Sequence, residues 1–442
     1  MFAILVLESL NRSAMLKTLR LLPIILAMVL LNANAQTTVI YCGKLIDGYS
    51  DKAMSEMTVV VEKNTIVRVD KGYTKVPDSV TVIDLKDKTV LPGLMDMHVH
   101  IENETSADNY IKKFTLNEAD IAFNAIGYAE RTLMAGFTTV RDLGGTGVNT
   151  SLRDAINAGK VRGPRIFSAG KSIATTGGHA DPTNGHKKAF MGDPGPDEGV
   201  INGADEARKA VRQRYKNGAD VIKITATGGV LSVAKDGSGP QFTMEELTAI
   251  IETAQEYGMV TAAHAHGEEG MKRAVQAGIT SIEHGTLMSE EIMQLMKEKG
   301  TYYVPTISAG KFVAEKAAIE GYYPSVVVPK ALAIGPQIQK TFGEAYKKGV
   351  KIAFGTDAGV FPHGQNAKEF GYMTEAGMPP MAAIKSATSV AAEMLNASDL
   401  GGIAKGKKAD IIAVDGDPLT DIKVLENVAF VMKNGEVFKG GQ

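Results

Sequence analysis

The stretch LPGLMDMHVH ends an apolar run on His98 and His100, one residue apart. In an extended strand, residues i and i+2 project to the same face, so the two imidazoles stand side by side where the run stops. Such a pair is either a metal-ligand arrangement or two hydrogen-bonded surface histidines. The remaining reactive side chains bear on that choice. Lys223 lies between two isoleucines in ADVIKITATGG, His264 and His266 end VTAAHAHG, His284 ends SIEHG, and Asp357 closes KIAFGTDAG. His179 lies in TTGGHADPT, and Arg141 and Asp142 end TTVRDLGG. Each has an ordinary reading alone: a satisfied histidine, a snorkelling lysine, a loop-capping aspartate, an Arg–Asp structural pair. Five of the eight histidines nevertheless close apolar runs. Imidazole nitrogen with carboxylate oxygen is the donor set of a catalytic zinc with an open position. His186 and His363 fall in loops and are assigned no role.

Lys223 does not fit a simple ligand set, because a protonated ammonium has no lone pair and repels a cation. Alternation in Val-Ile-Lys-Ile-Thr turns it away from both isoleucines, toward an interior where burial favours the neutral amine. A neutral amine can add carbon dioxide, and the resulting carbamate is an anionic, bidentate oxygen ligand able to bridge two metals.

The elements that must position these groups alternate. Apolar runs at 94–100, 138–143, 165–169, 221–226, 260–265, 281–284, 302–307 and 351–357 are separated by helical patterns such as TMEELTAIIETAQEYG and MSEEIMQLMKEKG, each closed by glycine. Eight strand–helix units over about 300 residues predict a (β/α)8 TIM barrel, in which active sites lie at the C-terminal strand ends. No glycine-rich fingerprint follows the first run, which argues against a doubly wound dinucleotide fold. Short β-rich runs at both chain ends predict a small composite β-sandwich from residues 36–92 and 400–442, flanking a barrel over 93–399. Asn434-Gly435 is the expected hairpin turn there.

Composition fits this plan. The 442 residues are 44% hydrophobic and 22% charged, with a net charge of -2 and no basic stripe. Neither nucleic acid nor an anionic membrane surface is therefore an indicated partner. A small-molecule or dipeptide substrate is expected, and a homo-oligomer stays open. Lys17 and Arg20, the apolar stretch 21–31 and Ala33-Asn34-Ala35 read as a signal peptide over residues 1–35, with Met15 a candidate start. Eleven apolar residues are too few to span about 30 Å of hydrocarbon, so no membrane anchor is expected after cleavage. The mature chain is expected to be exported, periplasmic or secreted. Its single cysteine, Cys42, cannot form an internal disulfide.

The set LPGLMDMHVH, VIKITATGG, AAHAHG, SIEHG and FGTDAG, with GFTTVRDLGG and the tail through KKADIIAVDGDP, resembles the metal-dependent amidohydrolase superfamily in its imidazolonepropionase-like and prolidase-like branch. The resemblance implies a barrel beside a composite β-sandwich and two zinc ions per site. It implies His98 and His100 on one metal, carboxylated Lys223 bridging, and His264 and His284 on the other. Asp357 would be both ligand to the first metal and catalytic base. His264 is expected as the ligand because it comes first where its strand ends, with His266 behind it. Hydroxide held by the metals would attack an amide carbonyl, with His179 orienting or polarising the substrate and Arg141 meeting a substrate carboxylate or supporting a ligand. Relatives that keep the lysine resemble dipeptidases and carboxypeptidases of Xaa-Pro or Xaa-Arg/Lys type. Hydrolysis of other N-acyl amino acids or cyclic amides, a single-metal deaminase-like reaction, and a non-catalytic metal-binding barrel are the alternatives.

Overall fold

The computed structural model describes residues 37–233 and 237–440; the expected leader lies outside them. Four strands open the described chain: β1 (Thr37–Leu45), β2 (Met54–Glu62), β3 (Thr65–Lys71) and β4 (Thr81–Pro92). The barrel follows with β5 (Leu94–Val99), β6 (Phe137–Asp142) and β7 (Arg165–Ser168), then a two-stranded excursion of β8 (Ala174–Thr175) and β9 (Val200–Ile201). It continues with β10 (Val221–Thr225), β11 (Val260–Ala265), β12 (Ser281–His284) and β13 (Tyr302–Val304). The chain returns through β14 (Ile411–Val414), β15 (Val428–Lys433) and β16 (Glu436–Lys439) to pair with its own beginning.

Parallel ladders join β5-β6-β7 and β10-β11-β12-β13. Ile173, just beyond β7, bridges Ile224 and links the two groups. The expected eighth strand over 351–357 forms no regular ladder, yet it hydrogen-bonds to both neighbours. Tyr303 N donates to Lys351 O at 2.8 Å on one side, and Asp357 N donates to His98 O at 2.7 Å on the other. The run 302–307 is shorter than expected: the strand ends at Val304, and a helix, Ile307–Ala317, begins three residues later.

Helices cover the outside of the barrel for visible reasons. In Met244–Glu256, Leu247, Ile250, Ile251 and Ala254 recur at helical spacing and are buried. Thr243 and Glu246 close its start reciprocally, each side chain accepting from the other's backbone N–H. Ile222 and Ile224 of β10 share one core with these residues, which leaves Lys223 and Thr225 on the opposite, interior face.

The chain ends form one seven-stranded sheet ordered β16-β15-β14-β4-β1-β2-β3. It is continuous rather than two separate sheets, and it folds over on itself: Thr65 of β3 bridges Lys408, and Ile40, Val59, Ile411 and Phe430 share one core. The Asn434-Gly435 turn forms between β15 and β16 with both φ angles positive, at 51° and 77°. Cys42 is buried in this core, and desolvation pushes its thiol up to about 12.

Candidate metal centre

The chemistry-bearing side chains converge at the C-terminal ends of the barrel strands. In β11, Ala263 and Ala265 join the helix-side core, so His264 and His266 face the interior. In β12 the parity is less simple. Ile282 joins the helix-side core while Glu283 faces inward, and strict alternation would send His284 outward with Ile282. Its φ of 69° turns it back over the barrel mouth. Thr306, whose Oγ1 lies 2.7 Å from His284 Nδ1, has φ 55°, and Asp357 has φ 61°. Three of the seven described non-glycine residues with positive φ thus stand at one site, where left-handed backbone costs about 1–2 kcal/mol each.

Hydrogen bonds assign the tautomers. His100 Nδ1 lies 2.7 Å from Gly144 O, which can only accept, so that nitrogen carries the proton and Nε2 is bare. His98 Nδ1 lies 2.9 Å from a Glu283 carboxylate oxygen, which again leaves Nε2 bare. These two nitrogens face Asp357 Oδ1 at 3.5 Å from His98 and 3.3 Å from His100. Asp357 Oδ1 is buried and has no hydrogen-bond partner. Two imidazole nitrogens with free lone pairs and an unpartnered carboxylate oxygen therefore converge on one point, an arrangement that a cation suits. His98, His284 and Asp357 can each offer a ligand atom, all within 4.8 Å of one another. The donor chemistry fits a divalent metal such as zinc.

Electrostatics agree with that fit. Burial is the first cause holding His98, His264 and His284 well below the ordinary histidine range, and it lowers His100 and His266 to about 4 and His179 to about 3. These rings are neutral at physiological pH, as ligands must be. Burial also pulls the Lys223 ammonium down and pushes the Asp357 carboxyl up, and the charge of each opposes the shift of the other. Lys223 Nζ lies 3.3 Å from His98 Nε2.

His264, His266 and His284 pack ring against ring, with centroids 4.6–5.0 Å apart. His264 Nε2 reaches Gly228 O at 3.2 Å, and His266 Nδ1 reaches Thr286 Oγ1 at 2.8 Å; each ring keeps its other nitrogen. His179 stacks on His264 at 4.3 Å, and its Nδ1 is buried without a partner. Arg141 is elsewhere. It is 0% exposed, lies behind His98 and contacts Glu283, so it does not meet a substrate carboxylate. The expected Arg141–Asp142 pair is absent: Asp142 instead accepts from Ile101 N, Gly144 N and the Asn149 amide. His363 is buried and stacks on Tyr128, and the His186 ring packs at a tilt against Phe114.

Glu283, Asp96 and Thr306 are the supports that motif reading missed. Asp96 accepts from His98 N, Thr356 and Asn366. Parity held a signal for Glu283, since in SIEHG it alternates with Ile282 and must face inward.

Beside the cluster lies a cavity of about 190 Å³. Its lining also holds an apolar set, including Leu143, Val230, Leu231, Val313, Ile334 and Ile338. It opens onto an outer cleft of about 780 Å³ that shares His100, Ser172, His179 and Leu231 with it. Among the described residues, no helix is long and apolar enough to cross a membrane.

Residues 89–438 match the profile of the amidohydrolase family. The ochratoxinase of Aspergillus niger is 34% identical over 435 residues, covering 92% of this chain and 88% of that protein. A crystal structure of a Xaa-Pro dipeptidase with methionine bound in its active site is 57% identical, has a TM-score of 0.89, and covers 91% of this chain and 100% of that one. A prolidase complexed with N-methylphosphonate-L-proline is 32% identical with a TM-score of 0.84, covering 91% and 99%. A family match across the whole barrel and close agreement with amide-cleaving relatives leave one assignment: this chain belongs to the amidohydrolase family and is a hydrolase of amide bonds.

Proposed function

We propose that this protein is an exported dipeptidase that cleaves small Xaa-Pro-type dipeptides with the help of two divalent cations. One observation carries the reading: imidazole nitrogens with free lone pairs and an orphaned Asp357 oxygen line a small cavity whose other lining residues are mostly apolar. His98, His100 and Asp357 would hold one cation and His264 and His284 the other, with Lys223 between them. When bound, such cations supply Lewis acidity and a water whose pKa falls to about 7.

The side chains supply the rest. Lys223, desolvated among imidazoles, is suited to lose its ammonium proton; addition of carbon dioxide to the neutral amine would release a second proton and leave an anionic carbamate where a cation had stood. Asp357, whose Oδ1 is buried without a hydrogen-bond partner at the cavity, would take a proton from the attacking water and return it to the departing amide nitrogen. His179 borders the cavity with an unpartnered ring nitrogen and would hydrogen-bond the substrate carbonyl. Among the described residues, Asp357 is the only carboxylate in the inner lining, which otherwise favours apolar and prolyl groups, while a basic side chain would find counter-charge only at Glu118, Asp181 and Glu198 of the outer cleft. The outer cleft supports a second reading, hydrolysis of N-acyl amino acids with a bulky acyl group. Export rests on the leader-like residues 1–35.

The test is zinc content of the mature protein, for the wild type and Lys223→Ala, with hydrolysis of Xaa-Pro, Xaa-Arg, Xaa-Lys and N-acyl amino acid panels on the same samples. About two zinc per chain, reduced by the substitution, with cleavage of apolar Xaa-Pro dipeptides, is the expected result. About one zinc, unaffected by Lys223→Ala, with no peptide cleaved, would overturn it in favour of cyclic amides or deamination.

A further inference from the structure

Behind His98 lies a buried relay that reaches neither the cavity nor solvent. Arg141 donates from Nε to Met97 O at 2.6 Å, from Nη1 to Ser281 Oγ at 3.0 Å, and from Nη2 to Glu283 Oε1 at 2.8 Å. Ser281 Oγ donates to the same Oε1 at 2.5 Å. The other oxygen, Oε2, meets His98 Nδ1 at 2.9 Å. Arg141 and Glu283 are each 0% exposed. One guanidinium from β6 thus joins the backbone immediately before His98 to the carboxylate of β12.

We infer that Glu283 is a positioning residue whose carboxylate, oriented by Arg141 and Ser281, holds His98 in the Nδ1-protonated tautomer and so makes Nε2 the metal-binding atom. The inference rests on the reading that the centre holds a divalent cation. Both Glu283 oxygens are committed: Oε1 accepts twice and Oε2 accepts from the ring. An acceptor facing Nδ1 fixes ring orientation and raises the basicity of the opposite nitrogen. This role needs an acceptor on both sides of residue 283, which a carboxylate supplies and an amide of the same shape does not.

Glu283→Gln is therefore a sharp probe. If the carbonyl of the introduced amide turns to Arg141, its NH2 donates to His98 Nδ1, which moves the ring proton to Nε2 and blocks the ligand atom. If the amide turns the other way, its NH2 is pressed against the guanidinium, donor against donor. Adding Arg141→Met removes that clash, so the carbonyl can face His98 and restore the tautomer.

The measurement is zinc affinity of the full chain by competition with a chromophoric chelator, together with the visible absorption spectrum of the cobalt(II)-loaded protein. Glu283→Gln is expected to weaken zinc binding about 10–100-fold and to alter the cobalt bands, with Arg141→Met in the same chain recovering part of the loss. Arg165→Met, which breaks a partly buried ion pair with Asp410 at 2.6 Å outside the site, serves as a control for general destabilisation and is expected to bind zinc as the wild type does. Unchanged zinc affinity in Glu283→Gln, or a loss equal to that of Arg165→Met, would overturn the inference while leaving the metal reading intact. A wild type that binds no zinc would overturn both.

Discussion

At the scale of residues, the site is a set of bare ring nitrogens and one buried carboxylate oxygen, and the first tests are single substitutions. Asp357→Asn should abolish amide hydrolysis and lower metal retention, because it removes an anion from the centre and the group that shuttles the proton. Activity assayed at saturating zinc separates the two effects: a variant that regains full rate with excess metal would show Asp357 to be a ligand alone. The buried imidazoles also set an acid limit. His363 and His266 are lowered to about 4 and His179 to about 3, chiefly by burial. Above about pH 6.5 these rings are neutral both folded and unfolded and contribute nothing to pH dependence. Below it the unfolded chain takes up protons that the fold refuses, so stability falls as pH drops toward about 4. Thermal unfolding of the metal-free protein should show its Tm declining as pH falls below about 6.5 toward about 4. The ligand-type residues were legible because they close apolar runs. Asp96 was not, because an acid inside a strand reads as an ordinary surface residue until its partner across the barrel is known, and Glu283 left only the signal of strand parity.

At the scale of elements, alternation of apolar strands and amphipathic helices made the barrel readable, and the departures have local causes. Thr306 leaves extended geometry for the left-handed region and starts the helix Ile307–Ala317, which shortens the strand before it. Residues 351–358 keep hydrogen bonds to both neighbours without a regular ladder. The cavity wall was not legible, because it depends on how two helices approach. Ile307–Ala317 and Val328–Lys348 come close at Gly310 and Gly335. A Cβ on Gly335 would lie 2.5 Å from Ala314 Cβ and 2.7 Å from Gly310 O, and one on Gly310 would lie 2.7 Å from Ile338 Cγ2. Gly335→Ala should therefore spread the helices, destabilise the fold by about 1–3 kcal/mol and raise KM for small apolar substrates as Val313 and Ile338 move apart. Denaturant unfolding and steady-state kinetics check both halves; an unchanged KM would show that the wall does not contact substrate.

At the scale of the molecule, the two chain ends depend on each other. β4 pairs with β1 on one side and β14 on the other, so without the C-terminal strands β4 becomes an unpaired edge. Truncation after residue 408 should expose the edge of β4 and the core around Ile40, Val59 and Leu85, and the product should aggregate on expression. Soluble, monodisperse truncated protein in size-exclusion chromatography would contradict this. That both ends build one β unit was readable from their shared texture and from the Asn434-Gly435 turn. That the unit is a single folded-over sheet was not, because register between strands separated by the whole barrel leaves no local trace.

The left-handed backbone at His284, Thr306 and Asp357 means that the site opposes the fold that carries it. Asp357→Gly would relieve a strained φ and remove a buried oxygen without a partner, so the metal-free variant should melt at a higher temperature than the metal-free wild type while losing catalysis. Selection for thermostability alone, without an activity screen, would therefore be expected to erode this end of the barrel first.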